Sequence, residues 1–458
     1  MSGIRLSRRQ LLRSGAGVAA VGSGFVPGAA SAVTGTQDDG WTTSAATWNL
    51  GLGADFLSVA RGDADTPVAE RVGTPYQQVV DSRPQARMDA VAAALAREKP
   101  DVVGVQEAAI VRRGPRSNTA VDDPDAGTVV ADFLADLRTA LADRGSPYRV
   151  ESTITNADLE FPGRIDDAAA DVRVTDRDAL LLREDAEIGV EGSETGVYDA
   201  SLTLPVGAGR TVEIPRGYVT ARLTIRGRPL AVATTHLEAA LEDIRQTQAG
   251  ELSSVVEALP SPTVVLGDLN SAPDADTRTE TAATAGTSTD AGAGPTNAYV
   301  VLTAAFDDAV APEAWAGVAE HGTGTCCRPA SLRPPDSDGL SRRIDHVLVE
   351  GLRASGSRRL GVEPTTPDDT DASVWPSDHA GVLAELAPAS DTPTGTTVHS
   401  TDRATDATTD SEPPATPTAG TTTATGTGTP GFGAPATLVA LWVAVGAALR
   451  RRGDHGGP

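Results

Sequence analysis

Lysine is all but missing from this 458-residue chain, with Lys99 the only one. The other basic residues are arginines, and 38 Lys and Arg face 62 Asp and Glu, a formal net charge of −24. That deficit excludes a broad cationic face, the usual non-specific grip on nucleic acid. It does not exclude a phosphate-bearing substrate. An acidic, lysine-poor surface points to a salt-rich setting, and at molar salt the Debye length is about 3 Å, so repulsion of an anion is screened. Aromatics are also scarce, at 3 %. A core built from the 40 % apolar residues must therefore rely on small and branched aliphatics. The only cysteines, Cys326 and Cys327, are adjacent. They form neither a zinc pattern nor an ordinary disulfide framework, which leaves two thiols or a vicinal disulfide. A Ser-His-Asp elbow, a glycine-rich phosphate loop and a cysteine nucleophile are all absent, so water is the natural attacking group.

The two ends carry address labels. "SRRQLLRSGAGVAAVGSGFVPGAASA" sets Arg8 and Arg9 before a weakly apolar stretch and an Ala-x-Ala-like site at Ala30–Ala32. This looks like a twin-arginine export signal over 1–32. At the far end, the apolar run Ala434–Leu449 falls short of the roughly 20 residues of a free-standing span. Arg450–Arg452 follow it as a positive-inside stop. Pro430, Gly431 and Phe432 resemble the archaeal sorting signal whose tail is exchanged for a lipid anchor, an uncut span being the alternative over 430–458. Between domain and anchor, 389–429 is rich in Thr, Asp and Pro and cannot bury enough surface to fold; it reads as an extended stalk. The expectation is an exported chain, anchored at the outer membrane surface, monomeric, with the translocase and a sorting enzyme as processing partners. His399 in the stalk, His455 in the tail and His321 in a glycine-rich loop carry no signal.

Residues 40–388 remain as one domain. Strand-like runs end in polar residues again and again: "ATWNLG", "DVVGVQEA", "ALLLRED", "VVLGDLN", "RIDHVLV" and "HAGVLAEL". "GYVTARLTI" and "PLAVATTHLEA" flank "RGR", a hairpin signal. Apolar periodicity predicts helices over 84–97 (Met88, Val91, Leu95), 129–143 (Val130, Phe133, Leu134, Leu137, Leu141) and 241–258 (Ile244, Leu252, Val255, Val256). Residues 61–82, 112–128, 157–170 and 272–296 read as polar or glycine-rich loops. Strands mixed with helices, several joined as hairpins, predict an α/β fold of sheets packed face to face with helices outside.

The strand ends carry the chemistry. Asn49 follows Trp48, Glu107 ends "VVGVQE", His236 ends "AVATTH", and Asp268 and Asn270 end "VVLGDLN". Asp345 lies in "RID", and Asp378 and His379 in "SDH". Strand alternation would point Asp268 and Asn270 at one spot. A hard cation such as Mg²⁺ takes oxygen ligands, few of them from protein, and Asn49 and Glu107 supply such oxygens. Histidines with carboxylate partners suit proton transfer and stabilisation of charge on a phosphoryl group.

In this order the motifs resemble the endonuclease/exonuclease/phosphatase superfamily. It includes pancreatic deoxyribonuclease-like enzymes, exonuclease III-like repair nucleases, sphingomyelinases and inositol-polyphosphate 5-phosphatases. The resemblance covers about 44–388 and implies a four-layer α/β sandwich, two packed mixed sheets with helices outside. It implies Asn49 and Glu107 as ligands of Mg²⁺ (or Mn²⁺), with Asp378 as a further or water-mediated one. His379 would contact the scissile phosphate or relay protons, partnered by Asp345, while Asp268 and Asn270 orient water and a phosphate oxygen. His236 matches the mid-chain histidine, with Asp176, then Asp178, as candidate carboxylate partner. The implied substrate is a phosphate ester, DNA first, with a phospholipid or small ester as alternative and an inactive ligand-binding module as the rival. Trp48 reads as core, His346 as structural, and Arg173, Arg342 and Arg343 as partners of carboxylates. Arg245 and Gln248 fall near the site because their helix starts just after His236.

Overall fold

The central strands carry apolar residues on both faces, and the two faces have different destinations. Along β12 (Thr263–Asp268), Val264 and Leu266 point at Ala45, Val102, Leu180 and Leu182 of a facing sheet, while Val265 points outward at Leu252 and Val256. A strand covered on both sides reads as an apolar run rather than an alternation. The structure, a computed structural model, describes residues 40–389 apart from 57–58, 60–67, 118–122, 208–209, 274–296, 311–323, 334–338 and 368–371. The expected export signal, the stalk beyond 389, the sorting signal and His321 lie outside the described residues.

Two mixed sheets form the middle layers. The eight-stranded one runs β15 (Leu352–Leu360), β16 (Gly381–Pro388), β1 (Thr43–Asn49), β2 (Val102–Gln106), β6 (Ala168–Arg183), β3 (Ile110–Pro115) and β4 (Thr128–Asp132), with β5 (Tyr148–Ile165) also paired to β6. The six-stranded one runs β13 (Asp307–Asp308), β14 (Asp345–Glu350), β12, β11 (Arg228–His236), β10 (Gly217–Ile225) and β7 (Ile188–Val197). β8 (Leu202–Gly207) and β9 (Arg210–Ile214) form a separate ribbon. The expected hairpin is present: β10 and β11 pair antiparallel, and Arg226 and Gly227 both take positive φ in its turn.

Helices cover both outer faces. α2 (Pro84–Glu98) and α3 (Phe133–Asp143) lay Met88, Val91, Leu95, Leu137 and Leu141 on Ala46, Trp48, Val103 and Val105. α4 (Glu242–Val256) and the short α5 (Ala298–Thr303) lay Leu252, Val256 and Leu302 on Ala233, Val265 and Leu348. The result is the expected four-layer sandwich. Lys99 closes α2 in the left-handed conformation, its N–H on Leu95 O at 2.7 Å.

Four local expectations are corrected. The helix read over 129–143 begins only at Phe133, because Asp132 caps it by accepting from Ala135 N, and Val130 belongs to β4. Within 61–82, read as loop, α1 (Val68–Asp81) buries Val72, Tyr76 and Val79 against Ile165, Val172 and Val174. The stretch 157–170 is the outer part of a long β5–β6 hairpin rather than a loop. Within 112–128, β3 and β4 pair antiparallel.

Candidate active site

Register converts strand order into a site. β1 and β2 run parallel, with Asn49 beside Gln106, so Glu107 emerges next to Asn49. β11 and β12 also run parallel, with His236 beside Asp268, and Asp268 sits opposite Asp345 at the start of β14. Strand ends from both sheets therefore open on one edge of the sandwich. The two sheets are tied just beneath: Gln106 Nε2 donates to Thr234 Oγ1 at 3.1 Å, and Thr47 Oγ1 to Gln106 Oε1.

All the expected residues meet there. Asn49 Nδ2 donates to Glu107 Oε1 at 3.3 Å and to Asp268 Oδ2 at 3.1 Å, bridging the sheets. Its oxygen accepts from Gly51 N, and Leu52 N donates to Glu107 Oε2 at 2.7 Å. His379 Nδ1 lies 2.9 Å from Asp345 Oδ2, the expected pairing. The Nε2 atoms of His236 and His379 lie 3.5 and 3.8 Å from the same Asp268 Oδ2. Asp378 borders the centre against Gly51, where φ is +65° and a Cβ would strike its carboxylate.

Asn270 arrives by a different route from the one alternation suggests. β12 ends at Asp268, and Asn270 turns to φ 50°, so that its N–H caps Asp268 Oδ1 at 2.9 Å and its Nδ2 donates to Leu237 O. A tight turn, not the pleat, joins the pair.

His236 differs more. The group on its Nδ1 is Arg216 Nη1, at 3.1 Å, and the same nitrogen lies 3.3 Å from Asp176 Oδ2. Asp176 therefore stands behind an arginine instead of on the ring. Asp178 is fully buried beside Asp176, with the Asn156 side chain as the polar neighbour that favours its charged form.

Burial dominates the electrostatics. It pushes Glu107 up to about 8, helped by Asp378 and Asp176. It pushes Asp268 up to about 6, helped by Asp345. Burial, then Arg216 and His379, hold His236 well below its ordinary value. For His379 burial acts the same way but loses to Asp345 and Asp268, which raise it well above. Burial thus favours the neutral form of one histidine, and neighbouring carboxylates favour the charged form of the other.

Several supporting residues gave no sequence signal of a role. Ser377 Oγ donates to Asn49 O at 2.7 Å and accepts from His379 N, clamping "SDH" to β1. Arg328, stacked 4.0 Å from the Trp375 ring, donates to Ser377 O and His379 O. Thr325 Oγ1 accepts from Ile344 N and Asp345 N. Buried Arg87 donates to Leu50 O, Gly51 O and Pro376 O, and burial pulls it down to about 10. Arg87 could have been suspected, since it occupies the apolar stripe of α2 beside Met88 and Val91. Cys326 and Cys327 are placed side by side as a vicinal disulfide, and their sulfurs lie within 4.8 Å of a His379 ring nitrogen.

The remaining readings hold except for Arg342, which is exposed and forms no ion pair with a carboxylate among the described residues. Trp48 is buried in the core. His346 is buried, its Nε2 on Ser271 O and its ring against Tyr299. Arg343 pairs with Asp308, and Arg173 with Asp158. Arg245 and Gln248 bind Glu238 backbone just past His236, steadying that loop without entering the centre.

The geometry meets an independent comparison. The model of the Endonuclease/Exonuclease/phosphatase family matches residues 46–379, spanning every motif of the site. The chain belongs to this family. No curated protein matches it. Among solved structures, an endonuclease/exonuclease/phosphatase family protein from Bacteroides thetaiotaomicron is 14 % identical, covering 76 % of this chain and 98 % of its own, with a TM-score of 0.44. A mannosyl-6-phosphatase of the same organism is 14 % identical over 75 % of this chain and 99 % of its own, TM-score 0.43. Truncated Caenorhabditis elegans TDP2 is 17 % identical over 76 % and 98 %, TM-score 0.39. Endonuclease/exonuclease/phosphatase family enzymes generally use divalent metal ions, and the donors here fit one. Asp268, Asp345 and His379 converge within 4.8 Å of one another, and the side chains of Asn49 and Glu107, bonded to each other and Asn49 also to Asp268, stand beside them with the oxygens a hard cation would take. Beside them Glu107 and Asp378 form a negative excess, which adds to burial in raising Glu107 and which a cation would neutralise.

Proposed function

We propose that this chain is a divalent-cation-dependent phosphodiesterase, with DNA the first substrate to test. The observation that carries the reading is the aim of the Nε2 atoms of two imidazoles, His236 and His379, at Asp268 Oδ2, beside the Asn49–Glu107 pair. Glu107, Asn49 and Asp378 would hold Mg²⁺ or Mn²⁺, all through oxygen. Such an ion would supply charge neutralisation at the phosphoryl oxygens. Asp268 takes a proton from the attacking water, a task suited to a carboxylate poised near 6. His379, held by Asp345, offers a charged Nε2–H to the phosphoryl or leaving oxygen, and His236 offers a neutral one. Asn270 fixes the direction of Asp268 through its backbone N–H. An inactive binding module is disfavoured, because every motif residue is intact and converges.

The proposed setting is the outer membrane surface, reached by twin-arginine export and kept by the C-terminal anchor; the terminal sequences support it. The test incubates the protein in molar salt with Mg²⁺ and, separately, supercoiled DNA, a sphingomyelin-like lipid and bis(p-nitrophenyl) phosphate. Nicking is expected. Release of choline phosphate alone would move the substrate to phospholipids, and silence on all three with metal bound would favour a binding module.

A further inference from the structure

The neighbour of His236 decides what that histidine can do. Arg216 immediately precedes β10, the hairpin partner of β11, and His236 is the last residue of β11. Its backbone is pinned there, since Tyr198 N donates to Arg216 O at 3.0 Å. Its side chain is largely buried, Nη1 between His236 Nδ1 at 3.1 Å and Asp176 Oδ2 at 3.3 Å, Nε 3.8 Å from Glu238 Oε2. Two carboxylates hold the guanidinium in place from one side while it presents an N–H to the ring on the other.

A guanidinium only donates. A ring nitrogen facing it must accept, so His236 Nδ1 carries no proton and the one proton of the neutral ring sits on Nε2. That atom points into the centre, 3.5 Å from Asp268 Oδ2. His379 has the reverse arrangement: its Nδ1 faces Asp345, a carboxylate that only accepts, so Nδ1 carries the proton. The two histidines meet one point with opposite partners behind them.

We infer that Arg216 is a positioning residue that fixes His236 in the Nε2–H tautomer, making it a dedicated hydrogen-bond donor to the phosphoryl oxygen and leaving proton relay to His379. This departs from the carboxylate partner the sequence suggests for His236, which would put the proton on Nδ1 and free Nε2 to accept. The inference concerns the ring itself; its catalytic consequence rests on the phosphodiesterase reading.

The test is histidine side-chain ¹⁵N NMR on the folded protein, His236 being assigned by its absence from His236→Gln. Wild type should show a pyridine-like Nδ1 and a pyrrole-like Nε2 for His236, and a protonated Nδ1 for His379. A protonated Nδ1 on His236 overturns the inference, whatever ester the protein does or does not cleave. Arg216→Met should leave His236 in mixed tautomers and lower kcat on bis(p-nitrophenyl) phosphate about 10–100-fold. Arg216→Lys, also donor-only, should restore the Nε2–H form and much of kcat. An unchanged tautomer and unchanged kcat in folded Arg216→Met would equally overturn it. Should Arg216→Met fail to fold, the wild-type spectrum alone decides.

Discussion

At the scale of single residues, the candidate centre is a set of buried carboxyls that disfavour their own charge. Burial raises Glu107 to about 8 and Asp268 to about 6 in the fold, against about 4 for ordinary carboxyls in an unfolded chain. Between those values the unfolded chain has released protons that the folded one still holds. The contribution to stability is therefore complete below pH about 4 and is lost as pH rises through about 6 and then about 8. Melting temperature without divalent ions should fall over that window. Added Mg²⁺ should raise it, and more so at higher pH, because a ligand that binds only the folded, ionised site stabilises it by mass action. A melting temperature indifferent to Mg²⁺ across the window would contradict the ligand assignment. His379→Ala removes the cationic donor and should lower turnover about a hundredfold or more; steady-state kinetics on any cleaved ester checks it, unchanged turnover denying the role. Glu107 and Asp268 are legible because each ends an apolar run, and His379 because "SDH" stands just before one. Arg216 is not: an arginine in "IPRGY" gives no hint of which ring it faces until β10 and β11 are paired.

At the scale of elements, the site depends on how loops are tied to strands. Arg87 reaches from α2 to the carbonyls of Leu50, Gly51 and Pro376, fixing both the Asn49 and the "SDH" loops. Arg87→Met would leave buried carbonyls without donors at about 1–3 kcal/mol each. It should show as a lowered denaturation midpoint together with weaker Mg²⁺ binding. Leu266 faces the other sheet in the interior layer, and Leu266→Ala should cost about 2–5 kcal/mol in chemical denaturation, with the metal site's affinity far less affected. The same scale shows where sequence pattern fails. α1 contains Pro75, and β5 runs through Pro162 and Gly163, residues that normally argue against helix and strand. Tertiary packing overrides them: β6 pairs with β5 along its length, with Pro162 opposite Asp171, and α1 covers Ile165, Val172 and Val174. Long helices with one clear apolar face, such as α2 and α4, were readable. Boundaries set by a single cap, such as Asp132, were not.

At the scale of the whole molecule, two facts bear on function: a net charge of −24 and a single edge of the sandwich where both sheets deliver polar residues. Self-repulsion and repulsion of an anionic substrate both weaken as the Debye length shrinks from about 10 Å at 0.1 M salt to about 3 Å at 1 M. Stability and kcat/KM on a phosphodiester should therefore both rise with salt, the reverse of a protein that holds DNA by a basic patch. The most direct measurement is hydrolysis of bis(p-nitrophenyl) phosphate in molar salt by wild type and Glu107→Gln, each with Mg²⁺ and with a chelator. Cleavage by wild type only with Mg²⁺, reduced about 100-fold or more in the variant, is the predicted result. Equal rates in both proteins, or cleavage undiminished by the chelator, would contradict a cation-dependent phosphoester centre built on Glu107.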